Sequence, residues 1–192
     1  MEFMAASGRG LTEREGLAEV FDLSPSAFDE AFSNWMAEQV ASWGRDRSSS
    51  MLYAAAVGEG DRAIASRDWP AAIAAYEKAR QIRPLDEPPL RRLAGLYLVP
   101  DINNQEKAAE MLMAVAVRST DDYRFAARAS RVYVQLEEHD KALEAAWLAV
   151  RCAPADPAAH RILLAAAEAA GDGDLAAKQR ERIERLTASR ED

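Results

Sequence analysis

Covalent, acid–base or metal chemistry needs imidazoles, thiols or paired carboxylates brought within reach of one another. This chain of 192 residues holds two histidines, His139 and His160, and one cysteine, Cys152. A metal site calls for two or more His or Cys at turn or helical spacing, and no such pair is present. There is no His-Glu-x-x-His, no glycine-rich phosphate loop, and no Cys/His pair placed as nucleophile and base. His160 falls at an inward position of an amphipathic helix, where a packed core histidine is expected. His139 stands in the polar turn Glu137-Glu138-His139-Asp140. Cys152 lies on a helix just before Pro154, where a small buried thiol is expected. The carboxylates fall on solvent faces of helices. These residues predict no enzyme activity, no cofactor and no metal.

Composition bounds the class. The chain is 49% hydrophobic, rich in Ala and poor in Gly and β-branched runs, which predicts an all-α fold with a substantial core. A net charge of −8 disfavours a general nucleic-acid role, because phosphate binding needs a basic face. One cysteine excludes an intramolecular disulfide and fits a reducing compartment. No apolar run approaches the roughly 20 residues of a membrane span. Met1-Glu2-Phe3-Met4 lacks the basic and apolar regions of a signal peptide and reads as a cloning remnant. The cytoplasm is favoured, with the periplasm open if the natural N-terminus is missing.

The elements follow in order. Residues 1–10 are small, polar and poorly ordered, and residues 11–43 form an N-terminal helical pair. Thr12 and Glu15 make a capping box, and Leu17, Val20 and Phe21 give the first helix its apolar face. Ser24-Pro25 starts the second helix, with Ser as cap and Pro at the first helical position. Phe28, Ala31, Phe32, Trp35, Met36, Val40 and Trp43 then recur at three- and four-residue steps. Core packing is the expectation for this aromatic face, and an exposed docking surface is the alternative. Residues 44–51 contain GRDRSSS and read as a linker.

Residues 52–188 carry an internal repeat. Residues 68–84 place Ala72, Ile73, Tyr76, Ala79 and Ile82 on one helical stripe closed by Pro84, and Ala142, Leu143, Ala146, Ala149 and Pro154 repeat it. Alignment on Ala72, Ala108, Ala142 and Ala176 gives intervals of 36, 34 and 34 residues. This spacing resembles the 34-residue helix–turn–helix period of the tetratricopeptide repeat. Gly60, Tyr133, Leu93, Leu163 and Gly171-Asp172 fall at matching positions, over repeats at about 53–86, 87–122, 123–156 and 157–190. The second repeat departs most. Thr120 replaces the usual Pro, and the loop around Pro100-Asp101-Ile102-Asn103-Asn104 is two residues longer. The resemblance implies an all-α, right-handed α-solenoid of about four helix pairs preceded by two N-terminal helices. Each pair stacks on the next because it cannot bury its own stripe. The charged last helix, with Leu175, Ile183 and Leu186 inward, reads as the polar cap of the array.

In this family the first helix of each repeat lines a concave groove. The alignment puts Arg91, Arg124, Arg131 and Arg161 on that line, with Arg128 one residue off it. Gly95, Ala127 and Ala165 leave room between them. Arginine binds carboxylates in bidentate fashion, so the implied partner is a protein or peptide offering an acidic segment or a C-terminal carboxylate. The alternative is that these arginines pair with acids of neighbouring helices. The family's two-carboxylate clamp for chaperone peptides is disfavoured, because Val57 and Asp61 occupy its first-repeat positions.

Residues 8–42, with LAEVFDLSPSAFD and the aromatic helix, resemble the segment after the catalytic domain of bacterial gluzincin-type metallopeptidases of the peptidase MA-like group. The zinc motif of that group is absent from this chain. The expected function is non-enzymatic adaptor or scaffold binding through the groove. The alternatives are a substrate-recruiting C-terminal piece of a zinc peptidase, and a module that self-associates through residues 28–43.

Overall fold

The computed structural model describes Thr12, Glu15, Gly16, Val20, residues 22–119 and residues 121–188. Leu17, Phe21, Thr120 and residues 1–10, all named above, lie outside the described residues. The chain divides into two compact units, Met1–Tyr53 and Ala54–Asp192.

In the first unit the capping box forms as its sequence pattern predicts. Thr12 N donates to Glu15 Oε2 at 2.9 Å, and Glu15 N donates to Thr12 Oγ1 at 3.3 Å. Helix α1 (Pro25–Ser42) begins with Pro at its first turn, and Ser24 Oγ accepts from Ala27 N at 3.2 Å. No residue of α1 is buried, and Phe32 and Trp35 are each 51% exposed. The expected core packing of this aromatic face is therefore corrected. Its rings pack on one another instead, Phe28 on Phe32 with centroids 6.3 Å apart and Phe32 on Trp35 at 5.9 Å. The stretch expected as linker is also partly helical, since α2 (Arg47–Ala65) starts within it. Asp46 supplies the missed signal: its carboxylate accepts from Ser49 N at 3.0 Å and satisfies a donor that the helix leaves orphaned.

The second unit is a run of helices: α3 (Trp69–Ile82), α4 (Glu87–Tyr97), α5 (Gln105–Ala116), α6 (Arg124–Gln135), α7 (His139–Cys152), α8 (Pro157–Ala169) and α9 (Gly173–Ala188). From α3 onward each helix packs on the next, and α6 also packs on α8. Helix pairs α4/α5, α6/α7 and α8/α9 thus stack as repeats, with the first helices of the last two in direct contact.

The aligned small residues explain the stack. Ala72, Ala108 and Ala142 are fully buried and Ala176 is 3% exposed. With no side chain beyond Cβ, they let helix backbones approach closely at the same point of every repeat. Gly60 of α2 fits still more tightly. A Cβ there would meet the Tyr76 ring at 2.7 Å. That ring is buried and pinned by its hydroxyl, which donates to Asp61 Oδ1 at 2.5 Å.

The turn inside each repeat is built one way. Arg67, Asn103, Glu137 and Gly171 all adopt the left-handed conformation, with φ of 59°, 42°, 59° and 73°. Their separations are 36, 34 and 34 residues, the same as those of the buried alanines. The following residue closes the helix by a long back-bond in three of the four: Asp68 N to Ala63 O, Glu138 N to Tyr133 O, and Asp172 N to Ala167 O, at 2.9–3.0 Å. Asp68, Asn104 and Asp172 then cap the next helix, accepting from Ala71 N, Lys107 N and Leu175 N. The longer second-repeat loop keeps its cap and gains an anchor, with Trp69 Nε1 donating to Asp101 Oδ2 at 3.1 Å.

His160 is a packed core histidine, as its position predicts. Its ring is 6% exposed, with Nδ1 at 2.8 Å from Gln179 Oε1 and Nε2 at 3.0 Å from the Pro154 carbonyl. A carbonyl can only accept, so Nε2 carries a proton. The pair ties α8 to α9 and to the turn after α7. Cys152 is partly buried, packed against the cluster of Ala116, Ala126, Leu148 and Ala149, with its Sγ 3.9 Å from the Ser119 carbonyl.

Candidate binding groove

Five arginines were expected along the first helices, and the structure splits them into two groups. Arg91 of α4 is engaged on both sides. Its guanidinium donates to Glu87 Oε2 at 2.7 Å and lies 4.5 Å over the Phe125 ring of α6. Glu87 is itself held, since its Oε1 accepts from Ser119 Oγ at 3.2 Å. Arg124, at the start of α6, folds back on Asp122 with two parallel hydrogen bonds of 2.9 and 2.8 Å. Those bonds, together with one from the Arg124 backbone N–H, hold the Asp122 carboxyl down to about 2. These two residues are paired, but with acids of their own helix or of the turn just before it rather than of neighbouring helices.

Arg128, Arg131 and Arg161 are different. All three are exposed, and none makes an ion pair or hydrogen bond with a described residue. Arg131 and Arg161 come together on a single feature, an open-mouthed cavity of about 270 Å³ between α6 and α8. Its walls are apolar: Ala127 and Val134 from α6, Ile162 and Ala165 from α8. Arg128 is not among the residues that line it.

The local sequence dictates this arrangement. On α6 the buried residues Ala126, Ala127, Ala129, Ser130, Val132 and Tyr133 form one face, and Arg124, Arg128 and Arg131 follow at three- and four-residue steps on the other. Ala127 and Ala165 are the residues expected to leave room, and both line the cavity. Gly95 has open space around its Cα but lies on α4, away from this cavity. Asp61, at one of the disfavoured clamp positions, is occupied by Tyr76 and lies 3.6 Å from Arg92.

Sequence reasoning missed Ser130. The residue lines the cavity, is 2% exposed, and forms no hydrogen bond with a described residue. The signal was present: Ser130 is the one polar residue on the buried face of α6. Phe125 was missed as well, because its role as a platform for Arg91 depends on the contact between repeats.

A cavity of this size lies below the range of about 300–1,000 Å³ typical of small-molecule sites, and suits one large side chain or a fragment of that size. The two guanidiniums beside it have no acid partner among the described residues. Among the described residues no group of three or more His, Cys, Asp or Glu is placed to hold a metal ion, and no helix is long and apolar enough to cross a membrane.

No protein-family model matches the sequence, and no curated protein matches it. Solved structures do. The crystal structure of MamA protein superposes with a TM-score of 0.55 at 21% identity, covering 72% of this chain and 75% of that one. The MamA AMB-1 structure gives 0.54 at 16% identity, covering 84% and 93%. A further MamA crystal structure gives 0.51 at 23%, covering 66% and 73%. At these identities the likeness speaks to the fold. It is an all-helical solenoid of tetratricopeptide type, and the pairing seen from α4 to α9 accords with it. The peptidase resemblance of residues 8–42 gains no support from these comparisons.

Proposed function

We propose that this chain is a non-enzymatic binding module that captures a protein or peptide on the first-helix face, acting as an adaptor or scaffold. The observation that carries this reading is the cavity between α6 and α8, with Arg131 and Arg161 beside it and no acid of the described chain neutralising either. A guanidinium left without a partner in a chain of charge −8 is available to a carboxylate from outside. The partner is therefore an acidic segment or a C-terminal carboxylate. Nucleic acid is disfavoured by the overall charge.

Fluorescence anisotropy with labelled acidic, neutral and basic peptides tests the reading. Acidic or carboxylate-ended peptides should bind, and the double reversal Arg131→Glu/Arg161→Glu should abolish that binding. Equal affinity across the panel, or affinity unchanged in the reversed protein, sinks it.

Self-association is a second reading, favoured by the half-exposed Phe32 and Trp35 of α1. Light scattering on the wild type and on Trp35→Ser decides it. An oligomer that the substitution dissociates supports self-association, and a monomer in both removes it.

A further inference from the structure

The cavity between α6 and α8 carries a more specific statement about its occupant. Resting on the groove reading, we infer that it is a site for a branched aliphatic carboxylate, with the carboxylate at Arg131 and Arg161 and the alkyl group among Ala127, Val134, Ile162 and Ala165.

Three independent observations converge. The walls are alkyl, and an acidic segment with no apolar group would leave them in contact with water. The two arginines come one from each helix, and neither has an acid partner among the described residues. Ser130 adds a third polar group. The residue lines the cavity, and its hydroxyl has no hydrogen-bond partner among the described residues, so it can donate to an occupant. One carboxylate oxygen accepting from Ser130 Oγ leaves the other lone pairs for arginine. The volume is ample for a leucine-like group.

Two sources can present this chemistry. One is the last residue of a peptide, whose α-carboxylate and aliphatic side chain share one carbon. The other is a free short-chain branched acid. The arginines, the hydroxyl and the alkyl walls treat them alike.

The experiment is titration of the full chain, labelled with ¹⁵N, against small probes. N-acetyl-leucine stands for the peptide end and 4-methylpentanoate for the free acid. N-acetylleucinamide removes the charge, and N-acetylglycine removes the alkyl group. Both branched acids should bind with dissociation constants on the order of millimolar, as their size allows. Shifts should centre on Ala127, Ser130, Ile162 and Ala165. The amide and the glycine analogue should bind at least tenfold more weakly. N-acetyl-leucine binding several-fold tighter than 4-methylpentanoate identifies the peptide end, and the reverse order identifies the free acid.

Ala165→Leu fills the cavity from an exposed position and should abolish probe binding with an unchanged circular dichroism spectrum. Ser130→Ala should weaken both acids about threefold or more. The inference is overturned if the amide binds as well as the acid, or if Ala165→Leu leaves binding intact. Acidic peptides that bind while the branched acids do not would overturn it and leave the groove reading standing. Failure of both sets of ligands would remove both.

Discussion

The second helices of the repeats and their first helices obey different rules. On the second helices, Ala72, Ala108, Ala142 and Ala176 sit at near-constant intervals and are almost wholly buried. On the first helices, the arginines share a line but not a fate: Arg91 and Arg124 are neutralised within the chain, while Arg131 and Arg161 stand beside a cavity with no acid partner among the described residues. The stack tolerates little change at its contact points because backbone spacing is set there. The groove face carries no such constraint, so its charges can be placed for a partner. On the proposed reading, stability and binding fall on opposite faces of the same helix pairs.

That separation can be broken by experiment. The largest effect is expected at the stack. Ala142→Leu forces extra methylenes into a filled contact and should lower stability by about 1–3 kcal/mol in a denaturant melt. Gly60→Ala should also destabilise, although a mid-helix Gly→Ala change ordinarily gains about 1 kcal/mol, because the new Cβ meets the pinned Tyr76 ring. A melt unchanged by either would erase the distinction. Next comes Arg131→Glu/Arg161→Glu, which should cost more than about tenfold in ligand affinity, or roughly 1.4 kcal/mol, with stability altered by less than about 0.5 kcal/mol. A large loss of stability in this variant would show that the groove arginines belong to the stack.

Smaller effects sharpen the picture within the scaffold. Glu137 holds a left-handed conformation that costs a non-glycine residue about 1–2 kcal/mol, against an entropic cost for glycine of about 0.5–1. Glu137→Gly should therefore stabilise by about 0.5–1 kcal/mol in thermal melts and leave binding untouched. The smallest effect concerns Asp122. Its folded-state carboxyl is depressed to about 2, so its stabilising contribution is present above pH 4 and lost as pH falls toward 2. The stability gap between wild type and Asp122→Asn should close over that range. Exposure of Arg124 keeps the gap to about 0.2–1 kcal/mol.

The parts of the fold that were legible in the sequence are those with a period. Alanines at intervals of 36, 34 and 34 residues, the Thr12/Glu15 box and Ser24-Pro25 each encode a local requirement that one stretch of chain satisfies alone. The long loop of the second repeat was legible as well, through the one interval that differs. Illegible were properties that depend on neighbours. Nothing in the spacing of Arg91 distinguishes it from Arg161; Glu87 and Phe125 make the difference, and Phe125 comes from the next repeat. Ser130 was overlooked for a related reason, since a serine among alanines draws attention only once the surface it faces is known. The aromatic spacing of α1 announced an amphipathic helix but could not say whether anything covers it.

The place of the cavity, astride the junction of the last two repeats, has a consequence for how the array opens. In a linear stack each repeat is held by its immediate neighbours, so terminal units detach first, and amide hydrogens at the ends exchange fastest. The α8/α9 pair is fastened to the turn behind it through His160 and Gln179. An occupant gripped by Arg131 on one side of the junction and Arg161 on the other would fasten it a second time. Exchange in α8 and α9 would then slow in proportion to occupancy, while exchange in α4 and α5 stayed as it was.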